Sequence, residues 1–131
     1  MLIIAAGMQK AGSSWFFNMV NDMVHEAGYS DTRELHERFN LHKTIQHNSC
    51  QIGRPFFWKI KKLLKISSKG YIFTIKTHRG PWPYMRRQIY KNKIIPLYIY
   101  RDPRDVVVSA YEHWTSYVLP DSARSHKLQP N

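Results

Sequence analysis

The stretch LIIAAGMQKAGSSWFFNMV, residues 2–20, decides the fold. Its first five residues are almost wholly apolar, the pattern of a parallel strand buried on both faces. Gly7 and Gly12 then frame four residues, as in the phosphate loop GxxxxGK[ST] that joins a strand to a helix. Ser13 stands where that loop keeps its lysine, and the nearest lysine is Lys10, inside the loop. From Ser13 to Ala27 the apolar residues Phe16, Val20, Met23 and Ala27 recur at helical spacing, and Gly28 supplies a stop. The stretch therefore reads as strand, glycine loop and helix.

Working outward, the same alternation continues. Residues 29–54 are polar and rich in histidine, and predict loops with one short helix around 32–39. PFFWKIKKLLKISSKG, residues 55–70, puts Phe56, Ile60, Leu63 and Leu64 on one face and most of its lysines on the other, an amphipathic basic helix. YIFTIK, 71–76, is β-branched and aromatic and predicts a second strand, and a helix follows Pro83. KIIPLYIY, 93–100, predicts a third strand that starts irregularly or is paired properly only beyond Pro96, which has no N–H for a ladder bond. Asp102 and Pro103 read as the cap and first-turn proline of a helix running to about Tyr117, with a frayed tail over 119–131. Strands alternating with helices mean an α/β fold: a parallel sheet sandwiched by helices, of the P-loop kind, in one domain.

Ligands of such sheets sit at the carboxyl ends of the strands. Three features fall there: the loop from Gly7 to Ser14, the segment Lys76-Thr77-His78, in which alternation puts Lys76 and His78 on one side if the extended geometry persists, and Arg101. A glycine turn opening a helix points backbone N–H groups and a positive dipole at one spot, and Ser13 and Ser14 add hydroxyl donors. A neutral histidine at a strand end, with an unperturbed pKa of ~6.5, suits proton abstraction near neutrality, although with seven histidines in the chain a surface role is the commoner fate. Arg101 with Ser109 makes a fork and a hydroxyl for a second phosphate; its ordinary alternative is an ion pair with Asp105 or Glu112. With no lysine at position 13 and no acidic residue ending a nearby strand to hold Mg²⁺, a metal-free reaction is expected.

These residues match a known family. QKAGSSW resembles the PKSGTTW loop of sulfotransferases that use 3′-phosphoadenosine 5′-phosphosulfate (PAPS), YRDPRDVVVSAYEH resembles their 3′-phosphate motif, and IKTHRG is similar to the KTH segment carrying their base. The resemblance implies a sulfotransferase moving a sulfuryl group from PAPS, as co-substrate and without a metal, to a hydroxyl or amine of a small-molecule or glycan acceptor. It implies further that Lys10, Ala11, Gly12, Ser13, Ser14 and Trp15 bind the 5′-phosphosulfate end and the adenine. Lys10 steadies the departing bridging oxygen and Trp15, otherwise an ordinary core residue of an amphipathic helix, stacks on the adenine. Arg101 and Ser109 hold the 3′-phosphate, while His78 takes the acceptor's proton and Lys76 neutralises the sulfuryl oxygens. Nothing after Val118 resembles the family's closing basic, glycine-containing segment, so residues 1–118 correspond to the amino-terminal part of a sulfotransferase domain.

Charge and composition bound the rivals. Twenty Lys and Arg against nine Asp and Glu give a net charge of +11, which points to an anionic partner. The lysine-rich 55–70 segment raises a nucleic-acid- or anionic-membrane-binding module as an alternative, and the glycine loop raises a P-loop nucleotide kinase. The single cysteine, Cys50, suits a reducing compartment, and neither a signal peptide nor ~18 consecutive apolar residues is present, so a cytoplasmic location is expected. His36, His42, His47 and Cys50 crowd within fifteen residues but lack the i, i+4 or CxxC spacing of zinc sites, and the histidines are expected to be surface groups.

Overall fold

The computed structural model describes residues 1–118; the tail expected over 119–131 lies outside the described residues. In chain order the elements are β1 (Leu2–Gly7), α1 (Ser13–Glu26), α2 (Thr32–Arg38), α3 (Phe57–Ser67), β2 (Phe73–Thr77), α4 (Pro83–Tyr90), β3 (Ile94–Ile99) and α5 (Pro103–Val118). The three strands form one sheet in the order β2-β1-β3, and both pairings of the central strand are parallel. One crossover runs from β1 to β2 and the next runs back past β1 to β3. Of the helices in the first crossover, α1 packs on β1 and β2 and α2 on β2, while α3 touches β1 and meets α4, which packs on β3.

The core is built from Leu2, Ile4, Phe73, Ile75 and Ile94 of the sheet, covered by Phe17, Leu35, Ile60, Leu63, Ile66 and Met85 of the helices. Every residue of β2 is buried, as expected of a strand covered on both faces. The helical face of α1 differs from the one read in the sequence. Ser13, Phe17, Val20 and Asn21 face inward, while Met23 is 66% exposed and Phe16 only partly covered. The buried Asn21 accounts for the shift: its Oδ1 accepts from Thr32 N at 3.2 Å, so a polar residue turns inward to fasten α2. Thr32 Oγ1 in turn donates to Thr74 O and accepts from Thr74 N, tying α2 to β2.

Pro96 does not delay β3 as expected. The strand pairs with β1 from Ile94 through Ile99, Pro96 opposite Ile4. Among the described residues β3 lies at the sheet edge, where a missing N–H on the outer side disrupts no ladder. Two of the three exposed aromatics at the start of α3 have ring partners: Phe56, its cap residue, meets Trp82 and Phe57 meets Tyr84, both edge-to-face, at centroid distances of 5.2 and 4.9 Å. These contacts brace α3 against the start of α4; of its lysines, Lys61 and Lys65 are exposed, while Lys62 donates to Asn40 O at 2.9 Å. No helix among the described residues is long and apolar enough to cross a membrane.

Candidate functional site

The carboxyl ends of the three strands open onto one groove of ≈ 560 Å³. Its wall contains Lys10, Gly12, Ser13, Ser14 and Trp15 from the loop and first turn of α1, His78 from beyond β2, and Arg101 and Ser109 from beyond β3. A groove of similar size, ≈ 590 Å³, lies beside Met1, Leu64 and Tyr84, but no glycine loop opens into it. Convergent anion donors therefore favour the first.

The loop earns its shape residue by residue. Gly7 ends β1 where its backbone lies against Ile99, and Gly12 caps α1 at φ 83°, a left-handed conformation that costs glycine little. Lys10 adopts φ 64°, uncommon for a residue with a side chain and of a kind that clusters at functional loops. No side chain caps α1 and no acidic residue sits in its first turn, so its N-terminal N–H groups and dipole face the groove unopposed by carboxylates. Arg101 is tied to this loop: its Nη1 donates to Lys10 O at 3.3 Å while its Nε lies 3.7 Å from Asp105 Oδ2. The ordinary ion pair and the groove-lining role thus coexist in one side chain. Asp102 caps α5 by accepting from Arg104 N at 2.9 Å, which starts the helix that carries Ser109 to the wall.

His78 lies just past the end of β2. Its Nδ1 sits 3.0 Å from Gly7 O; a carbonyl only accepts, so Nδ1 carries the proton and donates it. The neutral ring then has its lone pair on Nε2, the form a general base needs. His78 also borders two adjoining hollows. One, of ≈ 710 Å³, is walled by Met8, Val106, Ala110 and Trp114; the other, of ≈ 400 Å³, by Gln51, Gly53, Arg54 and Arg79.

Two of the sequence-predicted residues are placed differently from the rest. Lys76 is not on the groove wall: it is 4% exposed, and its Nζ donates to Ser14 Oγ at 2.9 Å, one hydroxyl behind the surface. Strand geometry stops at Thr77, so the alternation that pairs Lys76 with His78 does not extend to His78. Burial pulls the Lys76 ammonium below the usual lysine range. Ala11 is 3% exposed and is not part of the groove wall. Trp15, by contrast, is 65% exposed at the groove's edge and is not a core residue of α1.

Sequence reasoning missed Gln9, Gln51 and His113, which also line the groove. His113 was findable, four residues past Ser109 on the same helical face. Gln51 was not, because it arrives through pairing: Lys76 N donates to Cys50 O at 3.0 Å and Ile52 N to Lys76 O at 2.8 Å, laying 50–52 alongside β2. The expectation of surface histidines fails at His36, which is fully buried. Folding sets its ring edge-to-face with His42 and His47, at centroid distances of 4.6 and 4.9 Å.

Set beside known proteins, the chain matches no curated protein and no solved structure at a significant level. The family model described as "Sulfotransferase domain", however, matches residues 2–128. That span takes in the glycine loop, the segment after β2 and the start of α5, whose side chains meet at one groove on an α/β scaffold, and the chain belongs to the sulfotransferase domain family.

Proposed function

We propose that this chain binds PAPS in the 560 Å³ groove and, with it, transfers a sulfuryl group to a hydroxyl or amine, His78 acting as base. The observation that carries the reading is the shared wall: two cationic groups, an uncapped helix N-terminus and a histidine of fixed tautomer border one cavity. The residues fit such a co-substrate, since the volume falls within the usual range for nucleotide-sized ligands and the donors suit two separated anionic groups. PAPS supplies an activated sulfuryl group whose bond to the bridging oxygen breaks as the acceptor's bond to sulfur forms.

The chain's own groups do the rest. The first-turn N–H groups of α1 with Ser13 and Ser14 hold the 5′ end, and Arg101 and Ser109 hold the 3′-phosphate. Trp15 offers an exposed indole face to the base. His78 Nε2 receives the proton of the attacking hydroxyl or amine, and the carbonyl of Gly7 keeps the ring oriented for it. Lys10 offsets the negative charge left on the bridging oxygen, and Lys76 acts from behind Ser14 by polarising its hydroxyl. In-line positioning and preorganised cations of this kind supply most of what such a transfer needs. The apolar hollow of Met8, Val106, Ala110 and Trp114 beside His78 is where the acceptor's carbon skeleton approaches.

Calorimetric titration with 3′,5′-bisphosphoadenosine tests the reading. Binding is expected with and without Mg²⁺, weakened strongly by Lys10→Ala and by Arg101→Ala. His78→Ala should leave that affinity intact while lowering sulfuryl transfer about 10²–10⁴-fold. Absence of binding by the unaltered chain would sink the proposal, and binding of ATP only with Mg²⁺ would point to a kinase instead.

A further inference from the structure

We infer that His36, Glu37 and His47 form a binding site for one Zn²⁺ ion at the end of α2, independent of the sulfuryl-transfer groove. The three side chains offer His36 Nδ1, a Glu37 carboxylate oxygen and His47 Nε2, all within 4.8 Å of one another. Glu37 Oε1 is the hub, 2.6 Å from His47 Nε2 and 3.6 Å from His36 Nδ1.

The outer nitrogens argue for a metal more strongly than the cluster itself. His36 Nε2 lies 3.2 Å from Ile45 O and donates to it, so in the neutral ring Nδ1 is the unprotonated atom. That Nδ1 belongs to a fully buried ring, has no hydrogen-bond partner, and faces the carboxylate with its lone pair. A buried acceptor without a donor costs free energy, and a bound cation removes that cost. His47 repeats the arrangement: Nδ1 lies 2.7 Å from Asn48 Oδ1 and Nε2 points inward to Glu37. Metal-binding histidines characteristically anchor the second ring N–H on an oxygen in this way, fixing tautomer and orientation. In the metal-free chain a proton on His47 Nε2 bridges to Glu37; Zn²⁺ takes that proton's place, and the proton leaves to solvent.

Two imidazoles and one carboxylate suit Zn²⁺, which binds such atoms at about 2.0–2.2 Å and accepts water in a fourth position. Glu37 and His47 are both 61% exposed, so they can rotate to close the remaining distance around the fixed His36. The site would also act at a distance along the chain. His47 lies three residues before Cys50, and Cys50 Sγ donates to His47 O at 3.8 Å. Cys50 and Ile52 pair with Lys76, so an ion here pins the segment that lies beside the lysine behind the groove.

The test uses the intact chain stripped of metal by chelator. Zn²⁺ titration by calorimetry should show a single site and raise the melting temperature, and Co²⁺ in its place should give the visible bands of four-coordinate geometry. Glu37→Gln and His47→Asn, both at exposed positions that leave the core untouched, should lose the site and the thermal shift. His25→Asn, on the exposed part of α1, should keep both. Failure of the unaltered chain to bind Zn²⁺, or binding that survives Glu37→Gln and His47→Asn, would overturn the inference; neither result depends on whether PAPS binds.

Discussion

Gly7→Ala is the substitution whose outcome the packing fixes most directly. A Cβ built on Gly7 would lie 2.5 Å from Ile99 Cγ2, 3.3 Å from Ile99 O and 3.5 Å from Ser13 Cβ, where ordinary contact begins at 3.4 Å. The first overlap is close to 1 Å, and its partner is a β-branched side chain with little rotamer freedom on the neighbouring strand. The second contact is backbone, so the relief available is a parting of β1 from β3. Overpacking of this size costs about 1–3 kcal/mol. With an unfolding entropy of about 2.1 cal/mol/K per residue, a chain of this length should melt about 4–11 °C lower. Differential scanning calorimetry reads that shift. The control is Gly53→Ala, where no atom lies within 4 Å of the added methyl, and which should stay within about 0.5 kcal/mol of the parent. Parting β1 from β3 also separates the loop from Arg101 and moves Gly7 O away from His78, so bisphosphoadenosine should bind more weakly to Gly7→Ala and not to Gly53→Ala. Equal melting temperatures for the two variants would refute the packing argument.

Three further outcomes follow from the same structure. Trp15→Ala should leave thermal stability nearly unchanged, because the indole is mostly exposed, yet weaken bisphosphoadenosine binding by about 1–3 kcal/mol if the ring stacks on the base; a melting shift without an affinity change would reverse the assignment. Burial holds the Lys76 ammonium below the usual range, so the unfolded chain keeps this proton to higher pH, and stability from this group rises with pH up to the unfolded value near ~10.4. An anion beside Ser14 should draw that proton back, so bisphosphoadenosine affinity should fall as pH climbs through the lowered Lys76 value, and calorimetry in buffers of different ionisation enthalpy should register proton uptake that Lys76→Met lacks. Burial pushes the Cys50 thiol up to about 11, so it should react with a disulfide reagent at neutral pH only as fast as the chain opens; a rate matching that of a free thiol would contradict its burial.

Much of this molecule was written locally. An apolar run followed at once by Gly7 and Gly12 can be little other than a buried strand turning into a helix, and the same logic placed α4 after Pro83 and α5 after Asp102. The groove's loop residues and Arg101 were legible because parallel sheets bring their strand ends together whatever fills the faces. Other features needed the folded chain. Asn21 turned the inward face of α1 because Thr32 waits there to be bonded, and no periodicity in residues 13–27 contains that partner. Lys76 went behind Ser14 because β2 is covered on both sides, whereas alternation alone could only say that it shared a parity with His78. Gln51 reached the groove and His36 met His47 through turns whose course depends on contacts with β2 and Ile45. Spacing rules see neighbours along one helix or one strand; contacts between segments are fixed by how those elements bury their apolar faces together, and that is decided only in three dimensions.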